Sequence, residues 1–357
     1  MSTGLQVTAP PQIFAPSSTA KIMWAVTGCL LPAAAWGVYL FGTRAALVLG
    51  ISIACAVVFE AALAALAGKS TLGDGSAVLT GVLLGMSMPP AVPLFIPIVA
   101  NFFAIGIVKW SFGGLGSNWM NPALAGRVFV FFCWNDAMQR WTAPSILPGV
   151  ADGTSAATPL GAVRDGLASG VAAEGPISML DRIGYPRTAL DASITEWLNE
   201  RVFSAVNVEI PQGYVDLFFG QSAGSIGETS ALLLLLGSIY LVANGISRWE
   251  ITVSFFGGFA LLTILFGGLR FGGDLLTGDV LFNLFSGGIA LVMFYMITDS
   301  VTAPMSSAGM MLYGAGAGAL ASVLRMYGAY PDGAALAVLV LNVFVPSIDR
   351  LSRRRRS

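Results

Sequence analysis

The sequence of 357 residues contains no histidine. This absence excludes histidine-ligated haem, histidine-ligated metal and catalysis by an imidazole. The three cysteines lie singly in apolar runs, with no Cys-x-x-Cys spacing: Cys29, Cys55 and Cys133. The pattern therefore indicates neither an iron–sulfur cluster nor a disulfide framework. Any redox chemistry must use an organic cofactor or a site shared with another subunit.

Charged residues are also scarce, at 10% of the chain, against about 25% in a typical soluble domain. Hydrophobic residues make up 55%, and the mean hydropathy is +0.77. A water-soluble fold has too little polar surface to cover so much apolar side chain. The composition predicts an all-α protein that crosses a membrane several times and is solvated by lipid. The formal net charge of −1 gives no indication of a nucleic-acid partner.

Ten apolar segments divide the chain into two halves, and a long polar insert at 135–227 separates them. Seven segments approach the length that spans a bilayer, and three are shorter and flanked by Pro or Gly, as half-length helices are. The segments are 22–41, 45–67, 76–88, 91–110, 122–134, 229–246, 250–268, 281–298, 306–324 and 335–347. We therefore predict about ten transmembrane segments, five in each half.

The two halves resemble each other in order and composition. Each has an Asp and Gly before an apolar helix, a polar break that ends in Pro, a glycine-rich helix and a second loop. The paired breaks are Leu84-Gly-Met-Ser-Met-Pro-Pro-Ala-Val-Pro93 and Ile297-Thr-Asp-Ser-Val-Thr-Ala-Pro304. An odd number of spans in each repeat predicts two five-helix repeats of inverted topology. Chance similarity between glycine-rich membrane segments is the alternative.

The basic residues predict the orientation. In a ten-span topology, one side receives Lys21, Lys69, Lys109, Arg248 and the tail 350–357, and the other receives Arg44, Arg270 and Arg325. Cytoplasmic loops carry the excess of Lys and Arg, so both termini are predicted to be cytoplasmic. The predicted parts are a cytoplasmic segment 1–20, a first membrane repeat 21–134, an external loop 135–227, a second membrane repeat 228–349 and a basic cytoplasmic tail 350–357.

The external loop contains the segment with the clearest chemical signal, Asp152-Gly-Thr-Ser-Ala-Ala-Thr-Pro-Leu160. Taken alone, it predicts a turn with an exposed hydroxyl, since Pro159 disfavours helix at the residue before it. The segment resembles the flavinylation motif Asp-x-x-Ser/Thr-Gly-Ala-Thr/Ser. Asp152, Ser155 and Thr158 match that motif, while Ala156 stands where Gly is usual.

Several further segments resemble the RnfD/NqrB family, and together they cover nearly the whole chain from residue 20. They are Gly224-Ser-Ile-Gly-Glu-Thr-Ser-Ala-Leu232, Phe285-Ser-Gly-Gly, Thr298-Asp-Ser-Val-Thr-Ala-Pro304, Tyr327-Gly-Ala-Tyr-Pro-Asp-Gly-Ala334 and Leu341-Asn-Val-Phe-Val-Pro-Ser-Ile-Asp349. The stretch 278–350 looks closest to RnfD. The resemblance implies a fold similar to the urea transporters.

The same resemblance implies a function. It predicts an electron-transfer subunit of a complex that couples ferredoxin/NAD electron transfer to Na⁺ or H⁺ translocation in the bacterial inner membrane. Its FMN is expected as a phosphoester of Thr158, attached by a flavin transferase that recognises Asp152 and Ser155. A non-covalent riboflavin is a further expected cofactor, as in NqrB-like relatives. The expected partners are RnfA, RnfB, RnfC, RnfE and RnfG, with RnfG the neighbour in electron transfer.

Three ionisable residues lie in or near apolar spans: Glu60, Arg127 and Asp299. Charges at membrane depth are costly and face protein or water. Asp299 is therefore a candidate polar site or ion path, or else the cap of the next helix. For Glu60 and Arg127, a structural ion pair is the alternative to an ion path.

Two other functions stay open at this point. A solute channel of urea-transporter-like fold would fit the repeats and broken helices, but it has no use for the segment Asp152–Thr158. A scaffold without cofactor would follow if Thr158 carries nothing.

Overall fold

In a computed structural model, residues 18–69, 71–144, 156–204, 209–328 and 333–354 are described. The described residues are predominantly helical, and they form no β-sheet. This confirms the all-α prediction. The helices of the first half are α1 (Thr19–Leu66), α2 (Ser76–Met86), α3 (Phe95–Asn101) and α4 (Pro122–Cys133). A π-helical stretch, Phe102–Lys109, and a 3₁₀ turn, Trp110–Phe112, continue α3.

Helix α1 is 48 residues long and contains one non-helical residue, Gly42, with φ 70° and ψ −158°. Only glycine adopts this backbone conformation without strain. The kink separates α1 into two parts that match the two apolar runs in the sequence, 22–41 and 45–67. Just beyond the kink, Arg44 donates a hydrogen bond of 3.4 Å to the carbonyl of Val92.

The insert between the halves is folded and helical. Its elements are α5 (Asn135–Met138), α6 (Pro159–Ala168), α7 (Pro176–Arg182), α8 (Ala189–Leu198) and α9 (Tyr214–Phe219). A small hydrophobic core of its own joins α6, α7 and α9 to one phenylalanine of the second half: Leu160, Ala162, Val163, Ile177, Met179, Leu180, Leu217 and Phe282. The insert is therefore a packed unit seated on the second half.

The second half contains α10 (Ala231–Ala243), α11 (Trp249–Phe266), α12 (Val280–Phe285), α13 (Ile289–Leu291), α14 (Ser307–Tyr327) and α15 (Gly333–Arg354). The run 281–298 is broken at Ser286, Gly287 and Gly288 and resumes as α13, which the π-helix Val292–Met296 continues. Gly287 has φ +66°, which lets the chain turn there. This segment is a discontinuous helix, as its flanking glycines indicate.

Among the described residues, five helices are long and apolar enough to cross a membrane, with α1 counted as one. They are Thr19–Leu66, Phe95–Phe112, Trp249–Phe271, Ser307–Tyr327 and Gly333–Ser352. Three shorter apolar helices, α2, α4 and α10, accompany them. This pattern is that of a polytopic membrane protein. Ten spans and inverted repeats stay predictions.

The three buried charged side chains described in the first half, Glu60, Lys109 and Arg127, all form ion pairs. Lys109 Nζ lies 2.9 Å from Glu60 Oε2, and the two side chains are 2% and 0% exposed. Glu60 also accepts hydrogen bonds from Thr71 Oγ1 at 2.7 Å and Trp110 Nε1 at 3.0 Å. The Arg127 guanidinium pairs with Glu228, across the boundary between the halves. Glu60 and Arg127 therefore both form structural ion pairs, while an ion path through them is untested.

Glycines set the closest helix contact of the second half, between α11 and α14. A Cβ placed on Gly318 would lie 2.0 Å from the carbonyl oxygen of Phe255, and one on Gly314 would lie 2.6 Å from that of Ile251. Small residues let membrane helices approach to backbone contact in this way. No other residue type fits at these positions without moving one helix.

We expect Gly318→Ala to destabilise the protein by separating α11 from α14. The matched control is Gly257→Ala in α11, where an added Cβ meets no atom within 4 Å. In an open helical position, this replacement stabilises by about 0.5–1 kcal/mol. The midpoint of thermal unfolding in detergent should fall for Gly318→Ala and stay equal or rise for Gly257→Ala. Equal midpoints for both variants would contradict the close-contact interpretation.

Candidate functional site

Thr158 is the N-cap of α6. Its backbone is extended (φ −65°, ψ 156°), and its Oγ1 accepts a hydrogen bond of 3.1 Å from the N–H of Gly161. Pro159 occupies the first helical position, where its missing N–H costs nothing and its fixed φ suits a helix. The Thr-Pro pair that suggested a turn is thus the start of a helix, and the threonine side chain is half-buried at that start.

The neighbours of Thr158 hold it on both sides. Ala156 donates from its N–H to the carbonyl of Trp141 at 3.2 Å, and Tyr185 donates from its hydroxyl to the carbonyl of Ala157 at 3.1 Å. Directly after it, Pro159 and Leu160 are buried. The hydroxyl therefore lies on a fixed backbone rather than at the tip of a loose turn.

The surroundings of this hydroxyl suit a phosphoryl group. The N–H groups in the first turn of a helix point toward its N-terminus, and the helix dipole favours negative charge there. Gly161 leaves room beside the hydroxyl, because a Cβ at this position would lie 3.1 Å from Thr158 Oγ1. The first turn of α6 thus places hydrogen-bond donors and the positive end of the helix dipole beside this hydroxyl. Asp152 and Ser155, the other two residues of the motif, lie outside the described residues.

Arg164, one and a half turns into α6, fixes this helix to the membrane half. Its guanidinium donates to the carbonyl oxygens of Arg325 at 3.1 Å and Gly328 at 2.6 Å. These carbonyls end α14, where no further helical N–H can satisfy them. Burial, and next the charge of Arg270, lower the pKa of Arg164. No local pattern indicates this contact, since Arg164 and Gly328 are 164 residues apart.

Asp299 lies at a different site, in the break before α14. Its Oδ1 accepts from the N–H of Val301 at 3.3 Å, and its Oδ2 lies 3.5 Å from Thr302 Oγ1. The helix that follows is capped by Ser306, whose hydroxyl accepts from the N–H of Gly309 at 3.0 Å. The expectation that Asp299 caps the next helix is therefore wrong. Its carboxylate accepts hydrogen bonds within a local turn instead. Ser306 is the cap because it directly precedes the first residue of α14.

Asp299 also borders a cavity of about 90 Å³ between the two halves. Polar side chains from both halves line it: Ser76, Thr80, Lys109, Asn118, Asn121, Ser247, Tyr295, Thr298, Asp299 and Ser300. This volume is enough for several water molecules. The non-covalent riboflavin expected from the sequence stays a prediction. These residues form a polar site between the two halves.

Comparison with known proteins identifies the family. The NQR2, RnfD, RnfE family matches residues 6–357. The chain belongs to this family. The resemblance seen in the sequence motifs is confirmed.

Three relatives of this family are similar along almost their whole length. The D subunit of the proton-translocating ferredoxin:NAD(+) oxidoreductase complex of Clostridium ljungdahlii is 36% identical over 348 residues, which are 97% of this chain and 94% of that protein. The D subunit of the ion-translocating oxidoreductase complex of Stutzerimonas stutzeri is 37% identical, with coverage of 95% and 92%. The D subunit of the Na(+)-translocating ferredoxin:NAD(+) oxidoreductase complex of Acetobacterium woodii is 35% identical, with coverage of 98% and 94%.

For the break before α14, we expect Ser306→Ala and Asp299→Asn to differ in stability. Loss of an N-cap hydroxyl costs about 1 kcal/mol, so Ser306→Ala should lower the midpoint of thermal unfolding in detergent. Asn keeps an oxygen that accepts the turn hydrogen bonds, so Asp299→Asn should unfold close to the wild-type midpoint. A larger loss for Asp299→Asn than for Ser306→Ala would show that the charge itself stabilises the fold.

Proposed function

We propose that this chain is the membrane subunit of an ion-translocating ferredoxin:NAD⁺ oxidoreductase complex and carries FMN as a phosphoester of Thr158. Two independent lines support the proposal. The relatives that match from end to end are named as the D subunits of such complexes. The observation that carries the cofactor assignment is the position of the Thr158 hydroxyl, a half-buried N-cap with a helix N-terminus beside it.

A bound FMN supplies one- and two-electron chemistry that no side chain of this protein offers. The residues of the chain have a different task. The N–H groups at the start of α6 receive the phosphate, while Tyr185 and Arg164 fix α6 in place. A covalent link keeps the cofactor at a high local concentration and prevents its loss outside the cell.

The chain alone is not a complete enzyme in this proposal. It has no glycine-rich nucleotide-binding motif and no cysteine set for an iron–sulfur cluster, so electrons must reach it from other subunits. The predicted neighbours are RnfA, RnfB, RnfC, RnfE and RnfG, and RnfG is the proposed electron-transfer neighbour of the external flavin. A flavin transferase that recognises Asp152 and Ser155 loads the cofactor.

The proposed topology has ten spans in two inverted repeats, with both termini on the cytoplasmic side of the inner membrane. The kink at Gly42 divides α1 into two spans, so the five long helices supply six spans. The short helices α2, α4 and α10 and the broken run 280–296 supply the other four. Half-length helices are stable at this depth only when other helices bury them, and α2 and α4 are mostly buried.

Attachment is tested by the fluorescence of the denatured protein on a gel, since only a covalent flavin survives denaturation. Thr158→Ala should abolish this fluorescence. Thr158→Ser, which keeps the hydroxyl at the helix start, should retain it, and Ser169→Ala, a hydroxyl at the other end of α6, should leave it unchanged. Mass spectrometry of the peptide that contains Thr158 should show one FMN. A fluorescent Thr158→Ala band would refute the assignment.

Topology is tested with reporters fused to the full chain. A reporter after Ser357 should report a cytoplasmic location, and one inserted near Ala172, in the loop between α6 and α7, should report an external one. An insert found on the cytoplasmic side would reverse the topology and separate Thr158 from an external transferase.

A further inference from the structure

A groove of about 620 Å³ lies between α10 and α11 on the surface of the second half. These two helices follow each other in the chain but pack against different neighbours, α10 against α1 and α11 against α14. The π-helix Val292–Met296 contacts both of them and forms the floor of the groove. All residues that line it belong to 209–328, a stretch that the structure describes without a gap.

The groove follows α10 along most of its length. Ala231, Leu235, Ser238 and Val242 line it, spaced three or four residues apart as on one face of a helix. At 1.5 Å per residue, the first and the last of them are about 16 Å apart. The hydrocarbon core of a bilayer is about 30 Å thick, so one leaflet contributes about 15 Å. The groove therefore has the length of one leaflet of lipid tails.

The walls of the groove are apolar. The exceptions among the lining side chains are the hydroxyls of Ser238 and Thr252 and the indole N–H of Trp249. Its volume falls within the roughly 300–1,000 Å³ of sites for small organic molecules. A polar molecule would lose its hydrogen bonds to water along such walls without replacement. A ligand of this groove must therefore be hydrocarbon over most of its length.

One end of the groove carries a positive charge. Trp249 lines the groove in the first turn of α11, and Arg248, the residue before it, is exposed. Tryptophan is enriched at the membrane–water interface, which places Arg248 at the level of the lipid headgroups. Arg248 is also the one charged residue in the connection 244–248. The adjacent Glu250 is buried, in the first helical turn that favours a carboxylate.

We propose that this groove is a binding site for an anionic phospholipid, with one acyl chain between α10 and α11 and the phosphate paired with Arg248. The hydroxyl of Thr252, three residues after Trp249 and in the groove wall, faces an ester carbonyl of the same lipid. The ligand completes the packing of two helices that the polypeptide leaves apart. This site is separate from the flavin site, and it does not depend on the proposed function.

The headgroup decides which lipid binds. Lipid tails are as apolar as the side chains of the groove, so the acyl chain alone gives little preference between lipids. A basic residue near the membrane surface attracts anionic lipid by about 1 kcal/mol, which corresponds to roughly a fivefold preference. Arg248 should therefore select phosphatidylglycerol over phosphatidylcholine by about that factor.

The test is native mass spectrometry of the full-length chain in detergent, with equal amounts of phosphatidylglycerol and phosphatidylcholine added. The wild type should retain one phosphatidylglycerol with roughly a fivefold preference. Arg248→Gln should lose the preference, and Arg248→Lys, which keeps the charge, should retain it. Lys69→Gln, which removes an exposed charge at the end of α1, is the matched control and should behave like the wild type.

A second pair of variants tests the groove itself. Ala243→Phe places a ring among the lining side chains and should reduce the binding of both lipids. Leu236→Phe makes a similar change on α10 at an exposed position that does not line the groove, and it should leave binding unchanged.

Three results would overturn the proposal. The first is equal retention of both lipids by the wild type, or an unchanged preference in Arg248→Gln. The second is normal lipid binding by a folded Ala243→Phe variant, which would place the lipid elsewhere. The third is loss of the lipid when the chain assembles with its partner subunits, because the groove would then belong to a helix of a neighbouring subunit.

Discussion

The ion pair between Arg127 and Glu228 is the contact on which the arrangement of the two halves depends. Arg127 lies in α4, at the end of the first half, and Glu228 begins the second half. Both side chains are nearly inaccessible to solvent. Removal of one partner from such a pair costs about 3–5 kcal/mol, because the other charge stays buried without compensation. The pair therefore enforces one register between the halves.

Backbone hydrogen bonds reinforce that register beside the ion pair. The N–H of Ile226 donates to the carbonyl of Met88 at 3.0 Å, and that of Gly227 donates to the carbonyl of Met86 at 2.8 Å. These carbonyls lie at the end of α2 and would otherwise have no helical partner. Gly37 of α1 lets the segment around Ile226 pack closely against α1, since a Cβ on residue 37 would lie 1.7 Å from the carbonyl oxygen of Ile226. The half-length helix α2 is thus completed by the other half of the molecule.

Local signals, namely apolar length and flanking Gly and Pro, predicted the helical segments well. The flavinylation motif singles out Thr158, and the attachment of FMN there stays a prediction. The Thr-Pro pair that predicts a turn fits equally an N-cap followed by Pro at the first helical position. The cap prediction for Asp299 was wrong because two polar residues compete to cap α14 and the nearer one, Ser306, does so. Partners such as Arg164 and Gly328, or Lys109 and Glu60, depend on packing between distant segments and have no local signature.

The position of the proposed flavin follows from a chain of contacts that begins in the membrane. Close approach at Gly318 sets α14 against α11. The carbonyls at the end of α14 accept hydrogen bonds from Arg164 of α6. Thr158 is the N-cap of the same helix. Each link is a backbone or guanidinium contact with little freedom, so the attachment point is fixed relative to the second half. Electron transfer to a neighbouring subunit requires such a fixed position, and a hydroxyl on a loose loop would not provide it.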